Sequence, residues 1–334
     1  MEENVQQELR GSWYEDSRVH FNQTNELIMT FSLSTLRHNG RPTPVIETQG
    51  RYYPLASVAP ELVRTVPSRG LMNLFDDWAS AEVTLLKLAE RLERSHDGTI
   101  LPEPDFMTPL QYPNKLILGG ANYYEHMHKD AKMPDFRKEN AIPVFFLKAP
   151  TTSLVGSGKT VRYPTQSKKV DWEVELALVI GQRTRRIAEA DALKVVAGYA
   201  VGLDLSARDW QFHPKHPFKF DLFGGKAFDD SCPVGPKIVP ARFVDSGNLR
   251  ISLSVNGETK QDANTSDMIW SVAEEIASIS EHMTLEPGDI VLTGTPAGVG
   301  MATNTYLKTG DKIDAEIQGL GKLSVEIVPD TDGA

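Results

Sequence analysis

Twelve consecutive residues, Val170 to Gly181, constrain the fold more than any other stretch. Apolar and β-branched residues run to Ile180 and Gly181 closes the run, which predicts a β-strand. Side chains alternate across a strand, so Glu173 and Glu175 project from one face, roughly 7 Å apart at Cα. Trp172, Val174 and Leu176 face the other way. Two carboxylates side by side in an apolar strand repel each other unless something positive lies between them. A hard divalent cation, Mg2+ or Mn2+, satisfies both. An edge strand carrying two solvated glutamates is the simpler alternative.

The surroundings of that strand are those of an ordinary globular protein. The 334 residues suffice for one large domain or a large and a small one, and 40% of them are hydrophobic. A net charge of -10 argues against a nucleic-acid or anionic membrane surface as partner. The single cysteine, Cys232, excludes an intramolecular disulfide and suits the cytoplasm. The opening Met1-Glu2-Glu3-Asn4 has no apolar core of a signal peptide, and runs such as Val195 to Leu203 are about half a bilayer span.

Taken in order, residues 1–25 are a polar arm without a clear period, and residues 26–108 read as a small N-terminal domain. Short alternating runs with turns at His38-Asn39-Gly40 and Gln49-Gly50 predict a β-meander. Apolar residues at helical spacing from Leu71 to Leu92 predict one or two helices. The proline-rich Leu101–Asp105 is a linker, and residues 109–334 form the main domain. There, many short strands alternate with a helix near Glu189 to Val196, another from Met268 to His282, and a terminal hairpin. This pattern predicts a β-rich α+β body, not a doubly wound α/β fold.

The candidate chemistry gathers around the strand. Asp204 ends the apolar run Tyr199 to Leu203, either capping the next segment or completing a three-carboxylate ligand set with Glu173 and Glu175. A set without Cys or His disfavours zinc. His126 is the candidate general base, since imidazole titrates near neutral pH, and Asp130 four residues on shares its helical face. A solvent-exposed histidine is the alternative. Lys226 follows Gly224-Gly225 and either pairs with a substrate carboxylate or enolate or is a solvated loop residue. The glycine-rich Leu292–Gly300 loop has neither a P-loop ending nor a dinucleotide fingerprint.

In sequence order, Asn122-Tyr123-x-x-His126, Asp171-x-Glu173-x-Glu175, Asp204-x-Ser206-Ala207-Arg208-Asp209-x-Gln211, Gly225-Lys226-x-Phe228-Asp229 and Thr293-Gly294-Thr295-Pro296 resemble the fumarylacetoacetate hydrolase family over roughly residues 115 to 328. The resemblance implies a mixed β-sandwich roll, a smaller N-terminal domain and a homodimer. It implies Mg2+ or Mn2+ on Glu173, Glu175 and Asp204, and water activated by His126. Substrate contacts follow from Lys226, Gln211 and Thr295, joined by Lys148 and Tyr123. Many relatives carry a glutamate where Lys129 stands; either Asp130, one position later, takes the orienting role here, or the lid works differently. The implied reaction is hydrolysis of a carbon–carbon bond in a β-diketo acid or acylpyruvate. Its rivals are an oxaloacetate-type decarboxylase, a tautomerase or hydratase of aromatic catabolism on the same site, and a non-catalytic acid-binding protein.

Overall fold

The computed structural model describes residues 30–63, 70–95, 98–101 and 104–331, so the expected arm at residues 1–25 lies outside it. The first strands, β1 (Ser32–His38), β2 (Arg41–Thr48) and β3 (Arg51–Pro54), form the expected meander. Both two-residue turns, Asn39-Gly40 and Gln49-Gly50, have positive φ at each position, the geometry that matches the twist of a hairpin. The helix Trp78–Ser95 follows and buries Trp78, Ala81, Leu85, Leu88, Ala89 and Leu92 along one face.

The body then supplies β4 (Leu116–Gly120), β5 (Val144–Lys148), β6 (Leu154–Val155), β7 (Lys159–Tyr163), β8 (Val170–Asp171), β9 (Val174–Ile180), β10 (Val196–Leu203), β11 (Ser206–Ala207) and β12 (Cys232–Pro240). After them come β13 (Arg250–Val255), β14 (Glu258–Asn264), the helix Val272–His282, β15 (Ile290–Leu292), β16 (Lys312–Ile317) and β17 (Gly321–Pro329). Ser271 and Glu274 close a capping box at the start of that helix, which begins four residues later than its apolar spacing suggests. The segment near Glu189 forms only the turn Glu189–Ala192 and a 3-10 turn, because Val196 already enters β10.

One sheet runs β3-β2-β1-β12-β10-β9-β15-β4-β5, with β6 beside β12; a second runs β14-β13-β16-β17-β7. Val174, Leu176, Leu178 and Ile180 of β9 pack against Ile251, Leu253, Ile313 and Leu323 of the second sheet. Ala177 and Val179, on the opposite face, share a core with Leu85, Ala89 and Leu92 of the first helix. Burial on both faces explains why β9 reads as a near-continuous apolar run. The fold is therefore sheet-rich α+β, as expected. β1 pairs with β12, and the second core draws on residues on both sides of residue 108.

The strand at 170–181 is not continuous. Trp172 and Glu173 interrupt it, and Val170–Asp171 leaves to pair with Ser206–Ala207. The Asp171 carboxylate accepts from the N–H of Gly300 at 2.6 Å, of Met301 at 3.0 Å and from Arg208 Nε at 2.9 Å. Those bonds tie this end of the strand to another part of the chain. The edge-strand alternative fails as well, because β9 lies between β10 and β15.

Candidate active site

Glu173 occupies the interruption, Glu175 is the second residue of β9, and Asp204 directly follows β10. Antiparallel pairing sets Leu203 opposite Val174 and Gly202 opposite Glu175, and the Asp204 N–H donates to the Glu173 carbonyl at 2.9 Å. Register thus brings three distant carboxylates together: one oxygen of each lies within 4.8 Å of the others, and all three residues are buried.

Basic side chains surround this cluster. Lys226 Nζ donates to Glu173 Oε2 and Asp204 Oδ2, each at 2.5 Å. Arg208 directs Nη2 to Glu173, Nε to Asp171 and Nη1 to Gln211 Oε1. Burial opposes ionisation of Glu173, but Arg208 and Lys226 outweigh it and hold the carboxyl well below the usual range. Glu175 has no such partner. Burial, reinforced by the negative charges of Asp204 and Glu173, pushes it well above the usual carboxylate range.

Does this arrangement suit a divalent cation? Glu175 Oε2 accepts the Gly294 N–H at 2.8 Å, while Oε1 is buried with no partner among the described residues. Four buried carboxyls (Asp171, Glu173, Glu175, Asp204) face three cations, Lys148, Lys226 and Arg208. A hard cation gives the unpartnered oxygen a partner and more than offsets the one surplus negative charge, so the donor set fits Mg2+ or Mn2+. Lys226 meets two of the same ligands, so its ammonium has to yield those oxygens to a metal.

The proposed base sits on a π-type turn, His126–Asp130, closed by the Ala131 N–H donating to the His126 carbonyl at 3.0 Å. This turn brings Asp130 Oδ2 to 2.9 Å from His126 Nδ1. The same oxygen accepts the Gly298 N–H at 2.9 Å, so Asp130 joins the histidine to the glycine-rich loop. Lys129 points away and pairs with Glu125 at the surface. Asn122 anchors the turn: its amide donates to the carbonyls of Trp270 and Thr293, and its oxygen accepts the Trp270 N–H.

Two expected substrate contacts, Lys148 and Thr295, have other work, and a third, Tyr123, is buried with its hydroxyl unpartnered among the described residues. Lys148 Nζ donates to the carbonyls of Leu205 and Ser231 and forms an ion pair with Asp204, 2.6 Å from Oδ1. Tyr123 is 1% exposed, and its buried hydroxyl feels the charges of Glu175 and Glu275. The Thr295 hydroxyl donates to the Val174 carbonyl and accepts from Gln261, pinning the loop to β9. Gln211 keeps its amide nitrogen free of hydrogen bonds among the described residues. Arg208, Asp171 and Gln261 carry roles that residue spacing did not reveal, although Asp171 and Arg208 stood in the motifs that carried the family resemblance.

Residues 115–328 match the family model described as fumarylacetoacetate (FAA) hydrolase, C-terminal. The chain belongs to the fumarylacetoacetate hydrolase family. It is 42% identical over 234 residues to the Homo sapiens protein named oxaloacetate tautomerase FAHD2A, mitochondrial, covering 69% of this chain and 72% of the relative. Among solved structures it is similar to fumarylpyruvate hydrolase from Pseudomonas aeruginosa in complex with Mn2+ and pyruvate (36% identity, TM-score 0.58, 66% of this chain and 92% of that one). It is also similar to maleylpyruvate hydrolase from Sphingobium sp. SYK-6 with manganese(II) and pyruvate (28% identity, TM-score 0.70, 89% and 99%). Family membership makes the chain an enzyme of a metal-dependent kind.

Proposed function

We propose that this member of the family is a divalent-metal-dependent hydrolase of an acylpyruvate-type 2-keto acid. The observation that carries the reading is the His126–Asp130 pair, 2.9 Å apart and close enough to the acidic cluster for His126 to act on the charge of Glu173. Glu173, Glu175 and Asp204 would hold Mg2+ or Mn2+, which supplies Lewis-acid polarisation of a keto oxygen. Asp130 accepts from Nδ1, which leaves Nε2 of His126 as the atom that takes a proton from water. Lys226, released from the carboxylates, stabilises the negative charge that develops on the keto-acid fragment as the carbon–carbon bond breaks. The Gln211 amide nitrogen is a donor for the keto acid's carboxylate.

A second reading, oxaloacetate tautomerisation, is favoured by the names of the mammalian relatives. It uses the same groups but moves a proton on carbon and needs no attacking water. Purified protein with Mn2+ should release pyruvate from an acylpyruvate, with 18O from labelled water appearing in the acid product. Rapid interconversion of oxaloacetate keto and enol forms with no acylpyruvate cleavage would replace the first reading by the second.

The homodimer belongs to the same proposal. Edge strand β5 exposes Val144 and Leu147, and the nearby segment exposes Phe218 and Phe223. A second copy covering this apolar edge gives a dimer by light scattering, and Leu147→Asp should shift it to monomer. A dimeric Leu147→Asp protein would place the interface elsewhere. No helix among the described residues is long and apolar enough to cross a membrane. A reducing compartment fits the single cysteine: the expected cytoplasm is one, and the mitochondrion of the human relative's name is another.

A further inference from the structure

Arg208 has a neighbour besides the carboxylates. Its guanidinium has five N–H groups, of which three are directed to Asp171, Gln211 and Glu173. It also lines a cavity of about 560 Å³. The helical turn Arg208–Gln211 contributes Arg208, Asp209 and Trp210 to the cavity wall, but not Gln211. Lys168 and Lys169 line it as well, both exposed and neither with an ion pair among the described residues.

Aromatic rings of Trp210, Phe212, His213 and Tyr306 form much of the rest of the wall. Lys169 Nζ lies 5.4 Å from the centre of the Tyr306 ring. Trp210 is fixed by its Nε1–H donating to the Gln166 carbonyl at 2.6 Å, and it stacks on His213. The one carboxylate, Asp209, is already engaged by the Ser167 hydroxyl at 2.6 Å and the Lys168 backbone N–H at 2.8 Å. Asp209 keeps its charge, so Lys168 and Lys169 together leave a local positive excess beside aromatic faces, in a chain of net charge -10.

We propose that this cavity is a second ligand site, separate from the acidic cluster, for a small organic anion with a flat body, of the aromatic carboxylate class. The anionic group lies among Lys168, Lys169 and the remaining Arg208 N–H groups, and the flat body lies against Trp210 and Tyr306. Because Arg208 also neutralises Glu173, an anion here draws on a charge that competes with a metal for that carboxylate. Anion and metal binding therefore strengthen each other, by the same factor in both directions.

Calorimetric titration of benzoate into the full chain, loaded with Mn2+ and saturated with pyruvate, tests this. One benzoate per chain is expected, weakened about tenfold or more by Lys168→Ala with Lys169→Ala. Both lysines are exposed, so the double variant keeps its fold, which near-ultraviolet dichroism checks. Absence of binding, or binding indifferent to the double change, overturns the site. Since the lysines lie outside the acidic cluster, that comparison stands even where pyruvate does not bind. Inorganic phosphate binding as tightly as benzoate overturns the flat-body requirement, and weaker binding supports it. Benzoate should also tighten Mn2+ binding about three- to tenfold, read from the free Mn2+ signal by electron paramagnetic resonance. An unchanged Mn2+ affinity overturns the coupling.

Discussion

Replacing Glu175 by glutamine should abolish turnover and remove the stabilisation that Mn2+ gives the wild-type protein. The substitution keeps the shape of the side chain and an oxygen for the Gly294 N–H, but takes away the charge that a hard cation needs. The metal-free variant should melt no lower than the metal-free wild type, because burying an ionised Glu175 is unfavourable. The sign of the pH effect follows. Glu175 has a raised pKa in the folded state, so the unfolded chain releases the proton first as pH rises above the ordinary carboxylate value. Metal-free stability is greatest below that value and falls with rising pH, at most about 1.4 kcal/mol per pH unit for one proton. Mn2+ should oppose that fall, so the difference in melting temperature with and without metal should widen from pH 5 to pH 8 and vanish in Glu175→Gln. Turnover that survives both the substitution and exhaustive chelation would end the metal-dependent reading. The same holds for Glu173, although its removal also strands Arg208 and Lys226, so its effect on stability is larger and harder to separate.

His126→Ala should lower kcat by about 10²- to 10⁴-fold while leaving Mn2+ affinity nearly intact. The imidazole is not among the three ligands that converge, so metal binding measured by calorimetry separates a lost base from a collapsed site. Asp130→Asn tests the orienting role. Its side-chain oxygen still accepts from the Gly298 N–H but no longer supports the imidazolium, and the rate should fall less than in His126→Ala, with an altered pH profile. A His126→Ala protein retaining wild-type kcat would remove the histidine from the mechanism. An Asp130→Asn protein with an unchanged profile would reduce Asp130 to a loop anchor.

The part of the site readable from sequence is the part written in local chemistry. Glu173 and Glu175 stood out because acidic residues interrupt an apolar run, and Asp204 because it ends one. His126 and Asp130 could be paired from spacing alone, although the turn that joins them is π-type rather than α. What stayed hidden depends on contacts between distant segments. Lys148 was expected to reach the substrate, and only the folded chain shows the carbonyls of Leu205 and Ser231 accepting from its Nζ. The strand interruption at Trp172 was masked because Val170, Trp172, Val174 and Leu176 keep an alternating strand spacing through it, and Asp171 is drawn aside by backbone N–H groups about 130 residues away. Gln261 was invisible for the same reason: it meets Val174 and Thr295 only through tertiary packing. Residues 30–108 could not be recognised as sharing a core with the body, because apolar spacing records burial but not the identity of what buries it.

The single carboxylate shared by the His126 turn and the Gly298 loop has a mechanical consequence. A molecule that displaces the loop also re-aims the imidazole, so recognition and proton handling move as one piece. Engineering the loop for a bulkier guest would therefore detune the base in the same stroke, unless residue 130 were redesigned with it.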